Sequence, residues 1–315
     1  MDWTDRHCRY FHRLLSPHAR LYSEMVVAQA VLHGDRKRLL GFSKQEHPLA
    51  LQLGGSDPGL LAQAARIGED FGYDEINLNC GCPSDRVQSG RFGACLMLEP
   101  ALVADCVAAM RSAVAIPVTV KCRIGVDDQD EQTTLGHFVE QVAAAGCEVF
   151  FVHARKAMLK GLNPKENREI PPLRYALAYE LKQRHPQLTV VLNGGLASQA
   201  DCARPLTELD GVMLGRAAYH DPYLLAALEQ QCFGTTPISR EMGVELMHRY
   251  VLEVAHHGVL ARHVGRHMLG LYQGVTGAKA WRQALATGAL PLAAAALLRP
   301  NDESRAPLEA CTAEC

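Results

Sequence analysis

The chain has 315 residues, 48% of them hydrophobic and 21% charged, with a net charge of −2 at pH 7. That is enough apolar material for one large domain, or a large and a small one, and it excludes a solvated, disordered chain. The near-neutral balance excludes a global basic field, so any contact with nucleic acid has to come from local clusters. The 11 cysteines are scattered and odd in number, which argues for reduced thiols rather than a disulfide framework. No cationic segment followed by an apolar stretch opens the chain, and no apolar run reaches the roughly 18 residues of a spanning helix. The expectation is a cytoplasmic protein, a monomer, with no membrane association.

The chain begins MDWTDRHCRYFHRLL, a loop running straight into a helix. It reads as the end of a strand whose body is missing. Apolar, β-rich runs come next at 20–25, 48–54, 75–79, 117–122, 148–153, 189–193 and 211–215. Several are nearly continuous in Val, Ile and Leu, as in a parallel strand covered on both faces. Helical patterns lie between them: 58–71 after the Asp57-Pro58 start signal, 100–113, 134–145, 172–185 and 198–205. Strand–helix alternation of this kind means βαβ units. The fold expected is a (β/α)8 TIM barrel over residues 1–236, its first strand truncated. A doubly wound open sheet would carry a glycine-rich turn after its first strand, and none is present.

From about Thr236 helical stretches succeed one another without a strand, at 239–256, 259–273 and 277–287. They predict a small all-α domain over 237–299, with a frayed tail beyond it at 300–315. Residues 237–299 hold seven Lys and Arg against three Asp and Glu, an excess of four positive charges, with five histidines besides. Arg262, His263, Arg266 and His267 fall at helical spacing; the bland reading is a solvated helix face, and a zinc site there is weaker still.

In such a barrel the chemistry sits at the C-terminal ends of the strands. Those ends carry Gln52, Asn79, Lys121, His153, Asn193 with Gly194-Gly195, and Gly215-Arg216. Each alone could be a turn or capping residue; together they form a ring around one mouth. The glycine turns after the last two strands let backbone amides approach an anion, and Arg216 can clamp it, which favours a phosphate. Lys121 at the mouth would favour an anionic, reduced flavin ring, against the plainer reading of a salt bridge inside the barrel. His153 could equally be a satisfied core histidine. Within NLNCGCPSDRVQSGRFGACLM, Cys82 lies just past a strand between glycine and proline. A free thiol, with pKa about 8.5, is mostly protonated at neutral pH and can donate a proton. Gly90 and Gly93 would let the next segment move as a lid. Cys80 and Cys95 read as small buried hydrophobes, and the spacing of Cys80 and Cys82 lacks a second pair for a metal.

These segments, with PVTVKCRIG, FFVHARKAMLKGLNPKENREIPPL, VLNGG and RHMLGLYQGVTGAKAWR, resemble the tRNA-dihydrouridine synthases of the A type over nearly the whole chain. The resemblance implies an FMN-binding barrel with a helical tRNA-binding domain, and NADPH as reductant. It implies hydride transfer to carbon 6 of an extruded uracil and protonation of carbon 5 by the loop cysteine, here Cys82, at uridines 20 and 20a of the D-loop. Asn79 matches the asparagine that helps hold the uridine. Gln52, Lys121, His153, Asn193, Gly194, Gly195, Gly215 and Arg216 match flavin contacts, as do Met1, Asp2 and Trp3. Lys165 and Arg168 match positions that grip tRNA, and Lys279 and Arg282 match a second such pair. The chain departs from the family in starting at the Met of a usual Ala-Pro-Met, in Met158 for a common aromatic, and in Cys80 for an aliphatic. The competing readings are an FMN-dependent reductase of a small pyrimidine or enone, and a non-catalytic RNA-binding barrel.

Overall fold

The computed structural model describes residues 3–298, so Met1, Asp2 and the tail expected at 300–315 lie outside the described residues. The chain divides between two compact units, Met1–Pro237 and Ile238–Cys315. The first is a parallel sheet wound with helices. Its strands are β1 (Leu21–Tyr22), β2 (Val26–Val27), β3 (Leu49–Gly54), β4 (Glu75–Cys80), β5 (Val118–Arg123), β6 (Val149–His153), β7 (Thr189–Asn193) and β8 (Gly211–Met213). Neighbours pair in the order β1-β3-β4-β5-β6-β7-β8, and β2 also pairs with β3.

The run expected at 20–25 is therefore two short pieces on the same side of β3, with Leu21 opposite Leu49 and Val26 opposite Leu53. Between them the Ser23 hydroxyl accepts from the Gln52 N–H at 3.0 Å, so a side chain takes a bond in this stretch of the ladder. Among the described residues no pairing joins β8 back to β1. The parallel strands alternate with helices around one curled sheet, as in a (β/α)8 barrel.

The strands alternate as a barrel requires. Ile76, Leu78 and Cys80 of β4 and Val118, Val120 and Cys122 of β5 are buried in the hydrophobic core cluster. The alternate residues, Glu75, Asn77 and Asn79, and Thr119, Lys121 and Arg123, point inward. Low in the barrel the buried Glu75 carboxylate accepts from Tyr22 Oη at 2.9 Å, from Thr119 Oγ1 at 2.7 Å and from Arg20. The Tyr22 ring meets Phe151 edge-on at 5.3 Å across the interior. These side chains fill the lower barrel and leave the C-terminal end as the mouth.

The helix Arg6–Leu15 packs against the helix Tyr223–Phe233 and the turn at Lys44–Glu46. It begins at Asp5, whose carboxylate accepts from the His7 and Cys8 N–H groups, a standard N-cap. Its buried Arg9 pairs with the buried Glu46 at 2.6 Å, and Arg13 donates to the carbonyls of Ser16, Pro17, Glu46 and Pro48. At the seam, the Trp3 N–H reaches Glu24 Oε1 at 3.0 Å while its ring stacks on Tyr219 at 4.6 Å. Trp3 thus links the β1–β2 segment with the short helix Arg216–His220 that follows β8.

The second unit contains the helices Arg240–Ala255, Ala261–Gly265, Ala278–Ala286 and Pro291–Ala295 around the fully buried Trp281, whose indole donates to Met268 O at 3.0 Å. The helix expected over 259–273 stops at Gly265, and turns take over, because Gly270 and Gly274 weaken further helix and the Met268 carbonyl is taken by the indole. His267 is buried, so it does not share a solvated face with Arg262 and His263. No helix of the described residues is long and apolar enough to cross a membrane.

Candidate active site

At the mouth the inward residues of three strands are joined through their amides. Gln52 Nε2 donates to Asn77 Oδ1 at 2.8 Å, and Asn77 Nδ2 donates to Thr119 Oγ1 at 2.8 Å. Above them Asn79 Nδ2 donates to Gln52 Oε1 at 2.8 Å. The register makes this possible: Gln52 lies opposite Asn77, and Asn77 opposite Thr119. A carboxamide with both ends bonded has one orientation, so Gln52 is held rigidly at the edge of the mouth.

Asn79 also shapes the loop after β4. Its Oδ1 accepts from the N–H groups of Gly81 and Cys82, both at 3.0 Å, an Asx turn that fixes the Cys82 backbone. Cys82 is half-buried, with Sγ 3.5 Å from Ser84 Oγ. Its carbonyl accepts from the Ala94 N–H at 2.9 Å, closing the loop. Gly93 stands there at φ +77°, and a Cβ would lie 2.6 Å from the Cys82 carbonyl oxygen, so no other residue fits without displacing the loop. Cys80 is fully buried, and burial together with the neighbouring Cys122 pushes its thiol well up. Cys95, expected to be buried, is half-exposed at the surface of this loop, with Sγ 3.2 Å from Phe92 O.

The other side of the mouth is cationic. Lys121 lies opposite Asn79 in the register. Burial of its ammonium group, with Arg123 adjacent, lowers its pKa to about 8. His153 ends β6 and is buried; burial, then Arg123 and Lys121, hold its pKa well below the ordinary value, so it is neutral at pH 7. Arg123 is likewise lowered, to about 10, mainly by burial. Arg155, Arg168 and Arg216 gather beside them. Glu169 answers part of that charge, with Arg216 at 2.8 Å. His153 Nδ1, Arg155 Nε and Arg168 Nε are buried without a hydrogen-bond partner. Buried polar groups are rarely left so, and a set of them beside several cations calls for an anionic ligand with acceptor atoms.

The Gly194-Gly195 turn lies against this cluster. Tyr175 Oη donates to Gly194 O at 2.6 Å, and a Cβ on Gly194 would lie 3.2 Å from His153 Nε2. Asn193 Nδ2 donates to Met213 O at 2.7 Å, which binds the end of β7 to the end of β8. Gly215 faces open space, and Arg216 begins a helix of only five residues. The unpartnered guanidinium nitrogens, the cations and the two glycine turns fit a ligand bearing an anionic group such as a phosphate.

The fold thus brings together Gln52, Asn79, Cys82, Lys121, His153, Asn193, Gly194, Gly195, Gly215 and Arg216. Trp3 stands at the seam, and Met1 and Asp2 lie outside the described residues. Lys165 is exposed on the loop after β6, whereas Arg168 of the same loop is half-buried in the cation cluster, with its Nε out of solvent. Lys279 and Arg282 are exposed on the helix Ala278–Ala286 of the second unit. Arg123, Asn77 and Thr119 escaped the sequence reading. Their signal was period two: each stands two residues from another inward-facing group on its own strand.

Comparison with known proteins agrees with this geometry. The dihydrouridine synthase (Dus) family model matches residues 1–305. The chain is 62% identical over 289 residues to the tRNA-dihydrouridine(20/20a) synthase of Xanthomonas campestris pv. campestris, covering 92% of this chain and 86% of that protein. It is 57% identical over 292 residues to the protein of the same name from Synechocystis sp., covering 92% and 87%. A third, from Vibrio cholerae, is 56% identical over 292 residues, covering 92% and 89%. With the barrel, the cysteine loop and these matches together, the chain belongs to the dihydrouridine synthase family.

Proposed function

We propose that the chain is a tRNA-dihydrouridine synthase that reduces uridine to 5,6-dihydrouridine at positions 20 and 20a of the tRNA D-loop. The observation that carries the reading is the meeting, at one barrel mouth, of a half-buried thiol on a fixed loop with a cluster of cationic groups in which the buried Nε atoms of Arg155 and Arg168 have no hydrogen-bond partner. FMN, reduced by NADPH, would supply the hydride for carbon 6 of the uracil. Lys121, His153, the glycine turns and Arg216 would hold it: Gly215 and Arg216 at its phosphate, Lys121 beside the electron-rich edge of its ring. Gln52, fixed by Asn77 and Asn79, would orient the ring with its amide.

The remaining chemistry belongs to the chain. Cys82 Sγ holds the proton destined for carbon 5, and the Asn79 turn sets where that sulfur lies. A base inside folded RNA has to leave its stack before it can reach this mouth. Lys165 at the rim, with Lys279 and Arg282 on the helical unit, would take up tRNA phosphates and so position the D-loop. Such an enzyme would work in the cytoplasm, where tRNA and reduced thiols coexist. The division of labour between a barrel over 1–236 and a tRNA-binding domain over 237–299 is part of the same proposal.

The test is direct. Purified protein with FMN and NADPH is incubated with unmodified tRNA, and nuclease fragments are weighed by mass spectrometry. A gain of two hydrogens at uridine 20 or 20a supports the reading. A protein that oxidises NADPH with free pyrimidines or enones, and leaves tRNA unchanged, would replace it with a small-molecule reductase.

A further inference from the structure

Two ties join the Cys82 loop to the loop after β6. Gln88, on the short helix Asp85–Ser89, donates through Nε2 to Pro83 O at 2.8 Å and to Leu159 O at 2.9 Å. Arg123 donates through Nε to Gly81 O and through a terminal nitrogen to Asn167 O, both at 3.1 Å. Asn167 is fully buried, and its amide organises the second loop. It accepts from the Met158 N–H at 2.7 Å and donates to the carbonyls of Met158 at 2.9 Å, Leu162 at 3.0 Å and Asn163 at 3.3 Å.

A five-residue helix has little stability of its own, so the Asp85–Ser89 turn depends on such ties for its place. The ties run from carbonyls on either side of Cys82, at Gly81 and Pro83, to the segment that carries Lys165 and Arg168. We propose that Gln88 and Asn167 are positioning residues, clamping the two loops so that the setting of the Cys82 thiol depends on the order of the 156–168 loop. The chemical consequence rests on Cys82 as the proton donor proposed above. Phosphates taken up at Lys165 would order that loop, and the order would reach the thiol through Leu159 and Asn167. The plainer view, that Gln88 only satisfies two nearby carbonyls, gives no reason for Asn167 to matter to Cys82, since its side chain touches only its own loop.

Thiol reactivity separates the two views without any need for turnover. The purified full chain, with Gln88→Met and Asn167→Ala variants, is treated with iodoacetamide, and alkylation of each cysteine is tracked by peptide mass spectrometry. Cys202 serves as the internal control, because it is buried in the helix Gln199–Glu208 and makes neither tie. The expected result is a rise of at least about threefold in the Cys82 rate in both variants, as local opening becomes easier, with Cys202 unchanged. Dihydrouridine formation should then lose kcat in Gln88→Met while KM for tRNA stays near the wild-type value, since that variant leaves the amide bonds of the Lys165 loop intact. An unchanged Cys82 rate in both variants overturns the clamp, and so does a joint rise at Cys82 and Cys202, which would mean general loosening. If wild-type protein forms no dihydrouridine, the proposed function fails, and the alkylation result still decides the clamp.

Discussion

At the scale of single residues, Cys82 and Lys121 divide the work by their surroundings. Cys82 lies half-open at the mouth, its N–H held by the Asn79 side chain, whereas Cys80, the last residue of β4, is sealed in the hydrophobic core. Cys82→Ala should therefore lower dihydrouridine formation by about two to four orders of magnitude, with flavin reduction by NADPH preserved. Cys80→Ala should leave the rate near that of the wild type. Rapid-mixing absorbance for the flavin and mass spectrometry of the tRNA distinguish the two half-reactions. Lys121 carries its charge below a pKa of about 8 and loses it above. If that charge helps hold an anionic cofactor, FMN affinity should weaken several-fold as pH rises from 7, where the FMN phosphate is already almost fully ionised, through about 8. Lys121→Met should bind more weakly at pH 7 and lose that pH dependence, as read by flavin fluorescence; a wild-type profile flat to pH 9 would remove Lys121 from the site.

At the scale of elements, the amide ladder across β3, β4 and β5 makes its own demand. Asn77→Leu would strand the Gln52 amide, in part, and would crowd apolar carbon against Thr119. Leaving buried partners unsatisfied costs about 1–3 kcal/mol, so the urea midpoint should fall, and FMN affinity should fall with it because Gln52 is no longer held. Unchanged midpoint and affinity would mean that the ladder merely fills space. This ladder marks the limit of what the sequence makes legible. The strands and their C-terminal ends could be read, because apolar runs closing on Gln52, Asn79, Lys121 and His153 have a periodic signature. Asn77 and Thr119 are harder to read, since a polar residue inside a strand looks the same whether it faces water or a barrel interior, and only their spacing of two from Asn79 and Lys121 marks them as inward-facing. Arg168 was grouped with Lys165 by its place in the chain, yet Asn167 folds that segment so that one lies among buried cations and the other outside. The short turns after Gly265 and the two-piece strand at β1 and β2 were hidden for a similar reason: one indole and one serine hydroxyl compete with the backbone, and neither leaves a pattern.

At the scale of the whole molecule, charge is arranged rather than abundant. A chain of net −2 carries an excess of four positive charges over 237–299. Reversing Lys165, Lys279 and Arg282 together should weaken tRNA binding and lower its salt dependence by about one slope unit for each phosphate no longer neutralised. FMN affinity should be nearly unaltered, which is why Arg168, inside the cation cluster, is left out of that set. Titrations at several salt concentrations decide the matter, and equal slopes would leave these three as ordinary surface charges. The seam between β8 and β1 carries a separate consequence. In a closed barrel every strand is held from both sides, so its amide protons should exchange with solvent at similar rates around the ring. Among the described residues β4, β5 and β6 have a neighbour on each flank, while β1, β2 and β8 are paired on one. Deuterium uptake should accordingly form a gradient, fastest over 21–27 and 211–215 and slowest over 75–80, 118–123 and 149–153, with the barrel breathing from its open edges toward the cysteine loop.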